Sequence, residues 1–176
     1  MKRLARRLAW VMLAAALGVL AAPLFLPPAR VPLPPLTGEV ERIVIEKAAR
    51  RMSLIQDGKT VRSYRIALGF APDGDKQRQG DGKTPEGEFT IDRRNDRSAF
   101  HLSLGLDYPR AEDRAEAARA GVDPGGDIFI HGQPNALSEG FRLGGDWTAG
   151  CVALTNAEMR EIWQVAPIGT KVEIRP

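Results

Sequence analysis

The chain has 176 residues, enough for one domain with a hydrophobic core, and a formal net charge of +3 at pH 7. Residues 1–37 hold five of its 25 basic side chains and no acidic one, so residues 38–176 carry 20 cations against 22 anions. This balance gives no support for nucleic-acid binding, and the single cysteine excludes an internal disulfide and a multi-cysteine metal site.

The N-terminal segment has the pattern of an export signal or a membrane anchor. Residues 1–7 are basic, and the 19 residues of 8–26 form an almost unbroken apolar run, which as a helix spans about 28 Å. We predict that residues 1–27 are a hydrophobic helix, either a cleaved signal peptide or an inner-membrane anchor, and that residues 28–37 are a proline-rich linker. Both roles place the rest of the chain in the periplasm or another extracytoplasmic compartment.

Short apolar runs separated by turn residues follow the linker. They predict strands over residues 42–46, 52–56 and 61–68, with a hairpin at Asp57-Gly58. The glycine-rich residues 69–87 predict a long loop, either functional or a mobile surface loop. Two more strands are predicted over residues 88–92 and 100–104.

The second half of the chain alternates helices and strands. Residues 110–120 are rich in alanine, glutamate and arginine and predict a surface helix, and the apolar residues 128–130 predict a buried strand. Thr155 with Glu158 forms a capping-box pattern that begins the last helix, and residues 171–174 close the chain as a strand. The predicted fold is mainly β, two packed antiparallel sheets with short helices.

The only cysteine and one of the two histidines lie near predicted strand ends. His131 ends the strand over residues 128–130, and Cys151 lies where a glycine-rich turn enters an apolar run. An imidazole beside a thiol takes up its proton, and the thiolate is a strong nucleophile. A buried structural cysteine and a core histidine are the alternative on these two residues alone.

The surrounding residues carry a resemblance to a known family. Residues 148–156, Thr-Ala-Gly-Cys-Val-Ala-Leu-Thr-Asn, with Ile130-His131-Gly132 upstream, resemble the active-site signature of the L,D-transpeptidase (YkuD-type) catalytic domain. Residues 80–89, Gly-Asp-Gly-Lys-Thr-Pro-Glu-Gly-Glu-Phe, resemble the second landmark of that family. The pattern Gly-Cys-x-Ala-x-Thr, together with residues 100–102 and 113–114, is closer to the YafK-like branch.

The resemblance implies a YkuD-type β-sandwich of antiparallel sheets over residues 38–176. No cofactor is expected, and no metal is implied because the sequence shows no cluster of two histidines and a carboxylate. The same resemblance implies that Cys151 is the nucleophile and His131 the general base, whose second ring nitrogen is held by the Gly132 carbonyl oxygen. Thr148 supports the turn, and the N–H groups of Gly150 and Cys151 are candidates for stabilising the oxyanion.

Two residues depart from the family pattern. Many members have histidine where this chain has Ala149 and arginine where it has Ala153. Four more residues are candidates for contact with the substrate, each with a structural role as the alternative: Trp147, Arg142, Phe141 and His101.

The resemblance also implies the substrate, the stem peptide of peptidoglycan, and a role in cell-wall biogenesis and cell shape. The thiolate would attack an amide between an L-centre and a D-residue, and the acyl group would pass to an amine acceptor, a lipoprotein among them. The alternatives are a murein L,D-carboxypeptidase or an amidase that releases murein-linked lipoprotein, both with water as acceptor, or a non-catalytic wall-binding domain. The predicted partners are stem peptides and, through the N-terminal segment, the membrane, but not nucleic acid.

Overall fold

The structure is a computed structural model that describes residues 34–176. Leu36–Pro176 forms one compact unit. The predicted hydrophobic helix over residues 1–27 and the first part of the linker lie outside the described residues. Within residues 34–176, no helix has the length and apolar character needed to cross a bilayer.

Three strands open the domain, as the short apolar runs predict. They are β1 (Arg42–Glu46), β2 (Arg51–Gln56) and β3 (Lys59–Arg65), and each pairs antiparallel with the next. The hairpin between β2 and β3 turns at Asp57 and Gly58, which have φ values of 49° and 69°. Two consecutive positive φ values are typical of the tight turns that join neighbouring strands, so the Asp-Gly pair is the physical reason for this hairpin.

Five strands and two helices complete the domain. The strands are β4 (Gly87–Ser98), β5 (His101–Leu106), β6 (Phe129–His131), β7 (Val152–Ala153) and β8 (Lys171–Arg175). The helices are α1 (Ala111–Ala120), which is mostly exposed, and α2 (Asn156–Val165). The capping box predicted for the last helix is present, since the side chains and N–H groups of Thr155 and Glu158 bond to each other. The fold is therefore dominated by β structure with two short helices.

The strands form one sheet in the order β3-β2-β1-β8-β4-β5-β6-β7, in place of the two packed sheets that the sequence predicts. The prediction of purely antiparallel sheets is wrong at two positions, because β1 pairs parallel with β8 and β6 pairs parallel with β7. Both parallel pairs join strands that are far apart in the sequence, where no hairpin turn sets the direction. β4 joins the two halves of the sheet, since its first residues pair with β8 and its later residues pair with β5.

The two ends of the sheet meet at the segment that follows β3. Ala67 and Ala153 exchange backbone hydrogen bonds of 2.9 and 2.8 Å, so the chain after β3 pairs with β7. The interior between the halves is apolar, and its largest fully buried side chains include Phe89, Ile43, Met52, Leu104, Ile130 and Met159. Because β6 and β7 lie at this junction, the residues at their ends are brought together.

Candidate active site

Cys151 lies at the end of a tight turn that the Thr148 side chain holds. Thr148 Oγ1 donates a hydrogen bond to the carbonyl oxygen of Cys151 at 2.7 Å and accepts one from the Gly150 N–H at 3.1 Å. Gly150 has a φ of +140°, and a Cβ there would lie 2.7 Å from the carbonyl oxygen of Lys83. Only glycine fits this position without movement of the backbone. The Gly150 N–H, a predicted oxyanion donor, is already bonded to the threonine.

Backbone hydrogen bonds fasten this turn to the segment after β3. The Thr148 N–H donates to Leu68 O at 3.1 Å, and the Phe70 N–H donates to Thr148 O at 2.9 Å. The Asp146 carboxylate accepts from the Leu68 N–H at 2.9 Å and from the Arg50 guanidinium at 2.8 Å. The position of the turn that carries the thiol is therefore set by its hydrogen bonds to the segment after β3.

The thiol of Cys151 is partly buried against the start of β6. Its Sγ accepts a hydrogen bond from the Phe129 N–H and donates one to the Asp127 carbonyl oxygen, both at 3.4 Å. Burial raises the pKa of the Cys151 thiol above its ordinary value, although the Phe129 N–H acts in the opposite direction. The resting group is therefore the protonated thiol.

His131 is 3% exposed and its ring orientation is fixed. Its Nδ1 lies 2.7 Å from the carbonyl oxygen of Gly132. Because a carbonyl oxygen can only accept, Nδ1 carries the hydrogen and Nε2 keeps the lone pair of the neutral ring. Burial lowers the pKa of His131 below its ordinary value, although the bond to Gly132 acts in the opposite direction. The imidazole is therefore a neutral base at neutral pH.

His131 and Cys151 line one cavity of about 460 Å³. Its other lining residues are Asn95, Arg97, Ser98, Ala99, Phe100, Ser103, Asp127 and Phe129. Within residues 34–176 no hydrogen bond joins Sγ to the imidazole, so the two groups share the cavity as a neutral pair. Such a pair reacts by proton transfer when an electrophile enters between them.

Two more of the predicted residues lie against the His131 ring. The Gly132 N–H donates to the carbonyl oxygen of Phe100 at 3.0 Å, and a Cβ on Gly132 would lie 2.6 Å from Asn156 Oδ1. The Trp147 ring lies edge-on to the imidazole with a centroid distance of 5.7 Å. Glycine at 132 and tryptophan at 147 therefore help to hold the imidazole in place.

Trp147 is not among the residues that line this cavity, and the remaining three candidates for substrate contact lie outside it as well. Arg142 donates to the Glu158 carboxylate and lines a second cavity of about 440 Å³, to which Ala153 also contributes. Phe141 is 47% exposed and lines neither cavity. His101 packs next to Gly132, where its Cβ would lie 2.9 Å from a Cβ added to the glycine. The His101 Nε2 lies 3.4 Å from Arg160 Nη1.

Several lining residues come from β4 and β5 and were not among the predicted site residues. Strand pairing sets Asn95 opposite Ser103, and Ser103 opposite His131. The Phe100 ring lies 4.7 Å from the imidazole, centroid to centroid. The sequence did not predict this part of β4 as a strand, because residues 92–97 are mostly charged and lack the apolar alternation that is typical of a strand.

The glycine-rich loop over residues 69–87 is fixed by a buried lysine from outside it. Lys47 Nζ donates to the carbonyl oxygens of Gly74 at 2.6 Å and Thr84 at 2.9 Å, and to the Glu86 carboxylate at 2.8 Å. Thr84 Oγ1 accepts from the Gly69 N–H at 3.0 Å. The loop is a rigid part of the site, and it carries the Lys83 carbonyl group that packs on the cysteine turn.

Asp81 organises the same loop from within. Its carboxylate accepts from Lys76 Nζ at 2.8 Å and from the N–H groups of Gln77, Arg78 and Lys83 at 2.8 to 3.1 Å. Burial opposes ionisation, but these hydrogen bonds outweigh it and lower the pKa of Asp81 from an ordinary 3.8 to about 2.

We expect Asp81→Asn to lower the free energy of unfolding by about 2 kcal/mol at pH 7. A depressed folded-state pKa stabilises the fold above the ordinary value near 4, and this contribution is lost as the pH falls from about 4 to 2. Urea unfolding at pH 7 and pH 3 measures it, with the exposed Asp96→Asn as control. An equal deficit at both pH values would contradict the role of the carboxylate charge.

Metal ligands do not form a cluster in the part of the chain that the structure describes. Residues 34–176 contain no group of three or more histidine, cysteine, aspartate or glutamate side chains placed to hold a metal ion.

The domain matches a known protein family over most of its length. The family model described as the YkuD L,D-transpeptidase catalytic domain matches residues 40–174, most of the chain. The chain belongs to this family. The resemblance carried by the cysteine turn, the Ile130-His131-Gly132 segment and the glycine-rich loop is thereby confirmed.

Two relatives are named as L,D-transpeptidases. YafK of Escherichia coli (strain K12) is 32% identical over 104 residues, which are 58% of this chain and 35% of YafK. YqjB of Bacillus subtilis (strain 168) is 26% identical over 144 residues, which are 80% of this chain and 73% of YqjB. The match to YafK agrees with the resemblance to the YafK-like branch.

A solved structure has the same fold. The helical cell shape determining protein Pgp2 from Campylobacter jejuni superimposes with a TM-score of 0.61 at 28% identity, over 78% of this chain and 48% of Pgp2. The chain therefore spans about a third of YafK and about half of Pgp2.

Proposed function

We propose that this protein is a peptidoglycan L,D-transpeptidase that works through a thioester on Cys151. The observation that carries the proposal is the shared cavity of Cys151 and His131, with Nδ1 of the imidazole bonded to the Gly132 carbonyl oxygen. This arrangement leaves Nε2 as the proton acceptor of the neutral ring. Family membership supports the same reading.

In the proposed reaction a stem peptide enters the cavity with an amide between an L-centre and a D-residue beside Sγ. The imidazole takes the thiol proton as Sγ attacks the carbonyl carbon, and the oxygen of the tetrahedral intermediate becomes negative. Because the Gly150 N–H already donates to Thr148, we assign the stabilisation of this oxyanion to the Cys151 N–H at this turn. One such donor typically lowers the activation free energy by about 3 kcal/mol.

Collapse of the intermediate breaks the C–N bond, and the imidazolium returns its proton to the leaving amine. The thioester then passes its acyl group to an amine acceptor, which gives a cross-link or a protein attachment. Water in place of the amine gives trimming of the stem or release of a linked lipoprotein. All these outcomes share the same acyl-enzyme.

The proposed place of action is extracytoplasmic, with residues 8–26 serving as signal or inner-membrane anchor. Peptidoglycan as the substrate supports this location. The likeness to Pgp2, a protein named for determining helical cell shape, supports a role for the chain in cell shape.

The experiment is mass spectrometry of the intact protein and of its products after incubation with purified muropeptide tetrapeptides. An adduct on Cys151 with loss of the terminal residue and formation of dimers supports transpeptidation. The adduct with trimmed peptide alone identifies water as the acceptor. No adduct and no product, on tetrapeptides and on lipoprotein-linked murein, would overturn the proposal in favour of a wall-binding domain.

A further inference from the structure

One arginine lies on the wall of the cavity that holds the thiol. Among the lining residues only Arg97 and Asp127 carry a formal charge besides the titratable cysteine and histidine. The Asp127 side chain is 90% exposed and has a cationic neighbour, Arg93, at 3.5 Å. The Arg97 side chain makes no ion pair or hydrogen bond within residues 34–176. The cavity therefore presents one cation without an anionic partner.

Arg97 reaches this position through an irregularity in β4. Where β4 pairs with β5, two residues of β4, Asp96 and Arg97, lie opposite the single residue Leu102. A β-bulge of this kind redirects side chains and is over-represented next to active sites. Arg97 lines the cavity, whereas Asp96 does not. Of the two bulge residues, the one that lines the cavity is therefore the positively charged one.

The end of the β4–β5 hairpin is held in place by side-chain hydrogen bonds. The Arg97 N–H donates to Asn95 Oδ1 at 2.9 Å, and the Phe100 N–H donates to Ser98 Oγ at 3.0 Å. From outside the hairpin, Asn135 Nδ2 donates to the Ser98 carbonyl oxygen at 2.8 Å. Because its backbone is already ordered, Arg97 loses less conformational freedom when it binds a ligand.

Strand spacing places Arg97 at the distance of a nearby residue of a bound peptide. Asn95 lies two strands from His131, through Ser103, which is about 10 Å at ordinary strand spacing. Arg97 follows two residues later and also lines the cavity. An extended peptide advances about 3.3 Å per residue, so Arg97 can meet a group two or three residues from the bond at Cys151.

We propose that Arg97 is a specificity-determining residue that pairs with a free carboxylate of the peptide held in the thiol cavity. The proposal rests on the proposed function, since it takes a stem peptide as the ligand. A planar guanidinium binds a carboxylate through two parallel hydrogen bonds, which explains an arginine in this place. The carboxylate belongs either to the C-terminus of the stem or to one of its side chains.

The test measures binding in the Cys151→Ala background, where turnover does not interfere. Three tetrapeptides are compared by calorimetry: the free acid, its C-terminal amide and its side-chain amide. We expect Arg97→Gln to weaken binding of the free acid about tenfold, and the exposed Arg114→Gln on α1 to leave it unchanged. The amide that weakens binding when Arg97 is present, and has no further effect in Arg97→Gln, identifies the carboxylate.

Turnover with Cys151 present separates recognition from a structural role. We expect Arg97→Gln to raise KM about tenfold with kcat within about twofold, and Arg97→Lys to recover part of the loss. Unchanged binding in Arg97→Gln, or an equal loss for all three peptides, would overturn the role of Arg97 alone. Peptide binding that depends on Arg97 but leads to no turnover would overturn the proposed reaction and support the recognition. Neither binding nor turnover would overturn both.

Discussion

Replacement of Cys151 by alanine is expected to abolish turnover of stem peptides, with a fall in kcat of more than about 10⁴-fold. The chain has a single cysteine, so no second thiol is present to form the thioester. Loss of a nucleophile leaves only the rate contributed by binding and by oxyanion stabilisation. The measurement is the initial rate of product formation, together with the mass of the intact protein.

The same variant is expected to fold normally. Both hydrogen bonds of the thiol are weak because sulfur is a weak donor and acceptor, and the turn is held by the Thr148 side chain and by the backbone of residues 67–70. Its melting temperature should therefore stay close to that of the native protein. Iodoacetamide should add one label to the native protein and none to Cys151→Ala. Turnover that persists in a folded Cys151→Ala protein would refute the thioester mechanism.

The second large effect is expected for His131→Gln, which removes the base but keeps a polar side chain of similar reach. We expect kcat to fall by about 10²- to 10⁴-fold, the usual contribution of a positioned general base. The pH profile changes as well, because both members of the pair have displaced pKa values. Steady-state rates between pH 5 and 10 measure both effects.

The pH–rate profile has an acidic and an alkaline limb, and burial of His131 and Cys151 determines how each limb is displaced. Activity requires the neutral imidazole. Because the pKa of His131 is lower than its ordinary 6.5, the midpoint of the acidic limb of the native protein lies below pH 6.5. The pKa of the Cys151 thiol lies above its ordinary 9.0, so the alkaline limb falls above pH 9. In His131→Gln the acidic limb should disappear, and the residual rate should rise with pH as thiolate forms. An acidic limb that persists unchanged in this variant would assign it to another group.

Local sequence signals predicted most elements of the fold. The Asp57-Gly58 turn and the capping box of Thr155 and Glu158 each act over a few residues, so each can be predicted without the tertiary structure. The predicted strand bounds are wrong where pairing with a neighbouring strand overrides the local secondary-structure preference of the residues. β4 extends to Ser98, six residues beyond the predicted end at residue 92, because the neighbouring β5 supplies hydrogen bonds to a charged segment that would not form a strand alone.

The sequence also could not predict whether strands that are far apart in the chain pair parallel or antiparallel. The parallel pairing of β1 with β8 depends on where the last strand enters the sheet after α2. No turn links the two strands, and alternation is the same in parallel and antiparallel neighbours. Only the folded chain decides between them.

The sequence by itself determined the family and the chemical types at the site, because these depend on contiguous motifs. The tertiary structure decided which separated side chains share the cavity: Phe100, Phe129 and Arg97 line it, whereas Arg142, Phe141 and His101 lie elsewhere. The physical reason is that cross-strand neighbours are set by register. Asn95, Ser103 and His131 lie side by side only because β4, β5 and β6 pair in that alignment.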